Sequence, residues 1–419
     1  MMSLPERAAE IWTTTSKPLS MPKESTLEGW EILSPETIRD RSTAIFRAVD
    51  SGDSAHFRIN LQSLDKACEE VIASIHDSYP DFQVPYHSRW RHFEVNAEDL
   101  SGPLLAHCED RLATEIELAV LSVLLDAGAG KDWRYTDKQA EQILVRSEGL
   151  AVASLRAFCD GLFSAKPDDP LRADGAALAG LSVDALATHF QVNPDNPLVG
   201  LDSRVELLRQ LGQHTIDLNG PEARLASLLP ALTGAAGSIR AAEILQSVLM
   251  ATASIWPHSK SIGEVVAADV WAHRNAGGDG ISAGLVPFHK LSQWLSYSLL
   301  EPLERRQITV THLEELTGLP EYRNGGLFID TGVLVPINSD IFDQVHDVGS
   351  ELIVEWRALT VVLLDQLAGR IRDTLNLSVE QLPLAAVLQG GTWSAGRALA
   401  GRKRHGLPPL EVRSDGTVF

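Results

Sequence analysis

Three short stretches of this 419-residue chain gather side chains able to do chemistry. The first, Val84-Pro85-Tyr86-His87-Ser88-Arg89-Trp90-Arg91-His92-Phe93-Glu94, sets arginines, histidines and aromatic rings behind a proline. Arginine offers paired hydrogen bonds to phosphate or carboxylate, and aromatic rings offer flat walls, which together suit a ligand-binding loop. The same composition suits a surface loop anchored by Trp90 and Phe93, its arginines paired with nearby acids. The second, Val286 to Tyr297, has Pro287 at a helix start and Phe288, Leu291, Trp294 and Leu295 along one face. His289, Gln293 and Tyr297 recur at intervals of four along another face, with Lys290 alongside. Solvated faces favour Glu and Lys, whereas His, Gln and Tyr suit directional bonds to a ligand; both readings stand on the pattern. In the third, Leu319-Pro320-Glu321-Tyr322-Arg323-Asn324-Gly325-Gly326-Leu327-Phe328-Ile329-Asp330, a carboxylate, a phenol and a guanidinium precede a glycine pair that permits close backbone approach. A turn bearing an exposed ion pair is the alternative.

Other signals fall away. Gly128-Ala129-Gly130-Lys131 has Asp132 where a phosphate loop needs Ser or Thr, and Leu125 where it needs the first glycine. HExxH, GxSxG and a strand-borne GxGxxG are absent, and the 13 histidines show no zinc-ligand spacing. No metal and no organic cofactor is therefore expected. Cys68, Cys108 and Cys159 are odd in number and far apart, which gives no disulfide framework. A net charge of −20 repels polyanions, so nucleic acid is not an expected partner, while a few local cations can still hold one phosphate. No apolar run approaches the ~20 residues of a membrane span, and Met1 to Trp12 lacks the apolar core of a secretory signal. The expectation is a cytoplasmic protein without membrane association, of undetermined oligomeric state.

Helices must position these stretches. Ser34-Pro35-Glu36 reads as a cap, a first-turn proline and an acidic first turn. Leu61, Leu64, Ala67, Val71 and Ile75 mark a helix over Asn60 to Ile75, and Glu115 to Leu125 marks another, closed by Gly128 and Gly130. Thr136 with Gln139, Thr311 with Glu314 and Ser378 with Gln381 have the spacing of capping boxes. From Ile353 to Leu367 apolar residues surround the helix, which predicts a central one. Strand signals are few and short, the best of them at Gly326 to Leu334 and Leu410 to Phe419. Loops at Lys166 to Gly175 and Val192 to Gly200 suggest a helical N-terminal layer, 1–165, and a helical C-terminal catalytic layer, 166–419. The predicted class is mainly α: one large helical assembly with a few short strands near the C-terminal half.

PYHSRWRHFE, PFHKLSQWLSYSLLEPLE, LPEYRNGGLFID, LQGGTWSAGR and the terminal SDGTVF resemble the family of previously unknown function in the URC uracil-catabolism pathway, from about Glu24 to Phe419. That resemblance implies a part in degrading uracil to urea and a three-carbon acid through a nucleotide. Phe288 to Gln293, followed by Glu321-Tyr322-Arg323, is also similar to paired motifs of the queuosine-phosphate salvage glycosylases, which have a helical fold like that of DNA glycosylases. Those enzymes carry aspartate before Tyr-Arg; Glu321 reaches one methylene further.

Together the resemblances imply an N-glycoside hydrolase that cleaves a ureido-ribose, with ribosylurea 5-phosphate as the expected substrate and urea as a product. The substrate is thus a small ribosyl or ribosyl-phosphate molecule. Glu321 is the expected catalytic carboxylate, with Asp330 in reserve. Tyr322 and Arg323 would hold the carboxylate and the sugar, and Lys290 with His289 or Arg89 the phosphate. Gln293 and Trp90 would recognise the flat ureido group, with Tyr86, His87 and His92 completing the binding loop. Two rivals remain: a metal-dependent amidohydrolase or ureidohydrolase acting on a ring-opened pyrimidine, and a non-catalytic partner of other pathway enzymes.

Overall fold

The longest helix, Glu351–Leu375, follows directly from the all-round apolar stretch: Ile353, Val354, Leu359, Leu363, Leu364 and Leu367 are completely buried. A computed structural model describes residues 27–413, apart from 127 and 257, and helices predominate throughout them. Every strand among the described residues is two or three residues long and pairs with a single partner. Among the described residues nine of the fourteen strands lie in the C-terminal half, from Ser238–Arg240 onward, and five precede them. No helix among the described residues is long and apolar enough to cross a membrane.

The chain forms two compact units, each discontinuous in sequence. The first comprises 27–30, Arg89–Val266 and Ser298–Thr311; the second comprises Glu31–Ser88, Ala267–Tyr297 and 312–413. The expected cut at 165/166 lies inside the first unit. In that unit the helices Arg111–Leu124 and Arg146–Cys159 pack together beside the short 3-10 turn Arg89–Phe93. Asp110 caps the first of them by accepting a hydrogen bond from Ala113 N (3.2 Å). Glu117 is wholly buried there, with Arg224 forming two 2.8 Å hydrogen bonds to its carboxylate.

The second unit is built on Glu351–Leu375, against which Pro35–Asp50, Leu64–Ser78 and Tyr322–Thr331 pack. Ser34 caps Pro35–Asp50 as its sequence predicts, accepting from Glu36 N at 3.2 Å. Phe57–Ile59 pairs antiparallel with Leu334–Pro336, Phe57 opposite Pro336. Val270–Ala272 pairs antiparallel with Leu285–Pro287.

Several local expectations are corrected. Gly326 to Leu334 reads as a strand in sequence, but most of the segment belongs to the helix Tyr322–Thr331, and only Leu334–Pro336 is extended. Glu321 caps the helix start and Gly332, at φ 81°, closes it in the left-handed region, so end signals outweigh the β-branched tail. Thr136 starts no helix: it lies in the hairpin Tyr135–Asp137 with Gln142–Leu144, whose turn is closed by Asp137 accepting from Gln139 N (2.8 Å). Thr311 ends the strand Thr309–Thr311, and only a 3-10 turn, Leu313–Glu315, follows. Ser378 and Gln381 do exchange their two bonds, at 2.9 and 3.3 Å, but the helix waits until Leu384. At the C-terminus Glu411–Arg413 pairs parallel with Val345–Asp347; Ser414 to Phe419 lie outside the described residues.

Candidate active site

In the second unit Glu321 stands immediately before the helix Tyr322–Thr331, in extended conformation, and its carboxylate caps that helix. One oxygen accepts from Asn324 N at 2.6 Å and the other from Arg323 N at 2.7 Å. Ser, Thr, Asp and Asn are the usual caps, each contributing about 1 kcal/mol. Glutamate does the same from one methylene further out, and each oxygen retains a second lone pair. Burial pushes the Glu321 carboxyl above its ordinary value, and the two backbone N–H groups and the charges of Lys290 and Arg323 only partly oppose this. The result is a carboxylate more basic than usual, held in fixed orientation.

The two residues that follow it each carry a buried polar atom without a partner. Arg323 is buried, donates from Nη1 to the Gly406 carbonyl (3.0 Å) and lays its guanidinium over the Tyr322 ring, leaving Nε unpaired. Asn324, completely buried, donates to the Leu319 carbonyl (2.9 Å) while its Oδ1 has no partner. One unpaired donor and one unpaired acceptor, on the two residues after Glu321, are the complement of a sugar hydroxyl.

Lys290 opens the helix Lys290–Arg305. Its backbone N–H is held by Asp269 Oδ2 at 2.9 Å, and Asp269 is clamped by Arg357 through two bonds of 2.6 and 2.8 Å. Trp271 Nε1 donates to the same carboxylate (2.8 Å), and Arg357 Nε reaches the Pro320 carbonyl at 3.3 Å. This buried pair therefore braces the start of the Lys290 helix against the peptide preceding Glu321. Burial alone would raise the Asp269 carboxyl. The Arg357 charge and hydrogen bond, with those from Lys290 and Trp271, outweigh it and hold the group below the usual carboxylate range. Neither Asp269 nor Arg357 stood out in sequence. The available signal was Arg357 itself, which with Glu355 interrupts a mostly apolar stretch of its helix and must find a partner when buried.

The structure brings Glu321, Tyr322, Arg323 and Lys290 together and removes other expected ligands. His289, at φ 48°, has Nδ1 2.9 Å from the Ala268 carbonyl and Nε2 2.8 Å from the Ile32 carbonyl, which occupies both ring nitrogens. Gln293 is buried and bonds through both ends to Thr317, while the Tyr297 hydroxyl donates to the Thr317 carbonyl (2.9 Å). The face His289–Gln293–Tyr297 is thus an internal seam, neither solvated nor ligand-facing. Asp330, at the far end of the Glu321-capped helix, is buried and held by Arg404 through bonds of 2.7 and 2.6 Å. Its carboxylate is a structural anchor.

The first motif divides between the units after Ser88. Arg89, completely buried in the first unit, donates to Ser122 Oγ and to Asp126, each at 2.6 Å, and is no phosphate ligand. Trp90 donates to the Ser298 carbonyl (2.7 Å) beneath the Arg305 guanidinium, and His92 is buried in that unit. Tyr86 and His87 belong to the second unit; Tyr86 is half-buried, and His87 is buried with its ring beside Trp294 and Trp393.

A mainly helical protein carrying a half-buried, helix-capping carboxylate next to a lysine and two unpaired polar atoms is the class defined by these features. The chain belongs to the family described as "Protein of unknown function (DUF1688)", whose model matches residues 31–419. It is 36% identical over 402 residues to "Protein urg3" of Schizosaccharomyces pombe, covering 93% of this chain and 98% of that one. It is 34% identical over 430 residues to "Uracil catabolism protein 4" of Lachancea kluyveri, covering 91% of this chain and 97% of that one.

Proposed function

We propose that this protein acts in uracil catabolism as an N-glycoside hydrolase, cleaving the ribosyl C–N bond of ribosylurea 5-phosphate to release urea. The pathway reading draws on the name of the relative from Lachancea kluyveri and on the resemblance to the uracil-catabolism family. The reaction reading is carried by one observation: the Glu321 carboxylate, raised in basicity by burial and fixed at a helix start beside Lys290.

Hydrolysis of such a bond passes through an oxocarbenium-like state that a carboxylate stabilises while taking a proton from the attacking water. Glu321 serves both purposes through the lone pairs that its cap bonds leave over. Arg323 Nε and Asn324 Oδ1 take ribose hydroxyls, and Lys290 takes the phosphate as a point charge. The scaffold implied is a helical core of the DNA-glycosylase type.

The test is product analysis with synthetic ribosylurea 5-phosphate. Equal release of urea and ribose 5-phosphate is expected, with a loss of about 10²–10⁴-fold in Glu321→Gln. Full activity in that variant removes Glu321 from the reaction, and ammonia with carbon dioxide as products would replace the hydrolase by a ureidohydrolase.

A further inference from the structure

The peptide that leads into Glu321 is held in an unusual way. After the 3-10 turn Leu313–Glu315, residues Leu316 to Pro320 belong to no helix or strand, yet all of them are buried. Buried irregular chain is uncommon, because its peptide groups need the partners that secondary structure normally supplies. Here side chains supply them to the carbonyls. Arg39 donates from Nη1 to the Glu315 carbonyl at 2.6 Å and from Nη2 to the Leu316 carbonyl at 2.8 Å. The Tyr297 hydroxyl donates to the Thr317 carbonyl (2.9 Å) and Thr317 Oγ1 to the Gly318 carbonyl (3.2 Å). Asn324 Nδ2 donates to the Leu319 carbonyl (2.9 Å) and Arg357 Nε to the Pro320 carbonyl (3.3 Å).

Every carbonyl from Glu315 to Pro320 thus accepts from a side chain. Apart from Thr317 itself, the donors stand on the helices Pro35–Asp50, Lys290–Arg305, Tyr322–Thr331 and Glu351–Leu375, and all these residues lie in the second unit. Two of the holds are doubled. Arg39 is fixed in turn by Asp365, which accepts from its Nε at 2.8 Å and from its Nη2 at 3.4 Å. Gln293 grips Thr317 twice, donating from Nε2 to Oγ1 at 3.0 Å and accepting from the backbone N–H at 3.4 Å. Gly318 lies against Leu364 so closely that a Cβ would stand 2.6 Å from Cδ1, which leaves no room to shift toward the central helix.

Burial of Leu316 and Leu319 would keep this segment in the core without fixing its register, since apolar contact is not directional. Hydrogen bonds at each carbonyl do fix it. The fixed end is Glu321, whose own N–H donates to the Leu319 carbonyl at 2.9 Å.

We propose that Arg39 and Gln293 are positioning residues for the Glu321 carboxylate in the hydrolysis assigned above, a proposal that rests on that assignment. Arg39 holds the far end of the segment and Gln293 its middle, while Arg357 and Asn324 hold the end next to Glu321. Releasing either hold leaves Glu321 capping its helix but lets the carboxylate drift from the bound sugar. A misplacement of about 1 Å is enough to cost about 10²-fold in rate. A loosened segment also admits water to a carboxyl whose basicity burial raises.

The experiment is steady-state kinetics on ribosylurea 5-phosphate across pH, with rates expressed per folded enzyme from near-ultraviolet circular dichroism. Arg39→Lys keeps the charge toward Asp365 but cannot reach both carbonyls, and is expected to lower kcat about 10-fold with KM within about 2-fold. Gln293→Leu combined with Thr317→Val removes donor and acceptor together and leaves an apolar contact. That pair is expected to lower kcat about 30–100-fold, again with KM nearly unchanged. In both variants the acid limb of kcat moves to lower pH, as Glu321 returns toward the ordinary carboxylate value. Thr252→Val, which removes a buried 2.8 Å bond to the Val248 carbonyl in the first unit, is expected to lose stability while keeping kcat and the acid limb. Unchanged kcat per folded enzyme, a loss carried by KM alone, or an acid limb unmoved in both variants overturns the positioning role and leaves the hydrolase assignment standing. A wild-type protein that does not turn over ribosylurea 5-phosphate overturns the assignment and the positioning role with it.

Discussion

Replacing Asp269 by Asn tests the brace beneath the site most sharply. Asp269 lies at φ 55°, a conformation Asn tolerates, so the change removes charge with little backbone strain. Arg357 would then be a buried cation, 1% exposed, without its counter-ion. Leaving one member of a buried ion pair alone costs about 3–5 kcal/mol. At about 2–4 °C per kcal/mol for a cooperative unit of some 150–250 residues, Tm falls by about 6–20 °C. Arg357→Met should cost a similar amount by stranding the carboxylate. The double variant should recover much of the loss, because no charge is left unpaired, and the cycle should show a coupling of about 2 kcal/mol or more. Turnover of ribosylurea 5-phosphate behaves differently. Both the Lys290 N–H contact and the Pro320 contact remain weakened in the double variant, so activity stays about 10²-fold down. Additive stability losses, measured by calorimetry, would refute the ion-pair argument, and activity that recovers together with stability would refute the positioning argument.

Gly396→Ala gains about 1 kcal/mol of helix propensity, but its Cβ would lie 2.2 Å from the Arg323 carbonyl; a net loss of about 1–2 kcal/mol is expected in urea unfolding, with reduced turnover as Arg323 shifts. Asp330→Asn removes the Arg404 anchor and should cost about 2 kcal/mol while leaving turnover within about 2-fold, which kinetics on the folded fraction would reveal. Glu321 binds its proton more tightly folded than unfolded, so its contribution to stability is complete below the ordinary carboxylate value and is lost as pH rises through the raised one. Unfolding measured from mildly acidic to neutral pH should therefore show this loss in the wild type and its absence in Glu321→Gln. Asp269 has the opposite sign: its contribution is present above the ordinary value and fades as pH falls through the lowered one.

Local rules fixed by the order of residues set much of the architecture. The Ser34-Pro35-Glu36 start and the all-round apolar Ile353 to Leu367 stretch required only periodicity and capping chemistry to read, and both are helical as that chemistry dictates. Glu321, Tyr322 and Arg323 were legible as one group of polar side chains beside a glycine pair and Lys290 as part of another segment, and only the resemblance to the salvage glycosylases paired the two. The type of element around Glu321 was not legible, since Gly326 to Leu334 reads as extended until Glu321 and Gly332 are seen as caps. Tertiary packing alone decided which polar residues remain available. His289, Gln293, Arg89 and Trp90 have the chemistry of ligands, but each finds an internal partner whose position no spacing rule reports. Asp269 and Arg357, 88 positions apart, show the same limit from the other side. A buried charge demands a counter-charge, and only the folded chain determines which one comes within reach.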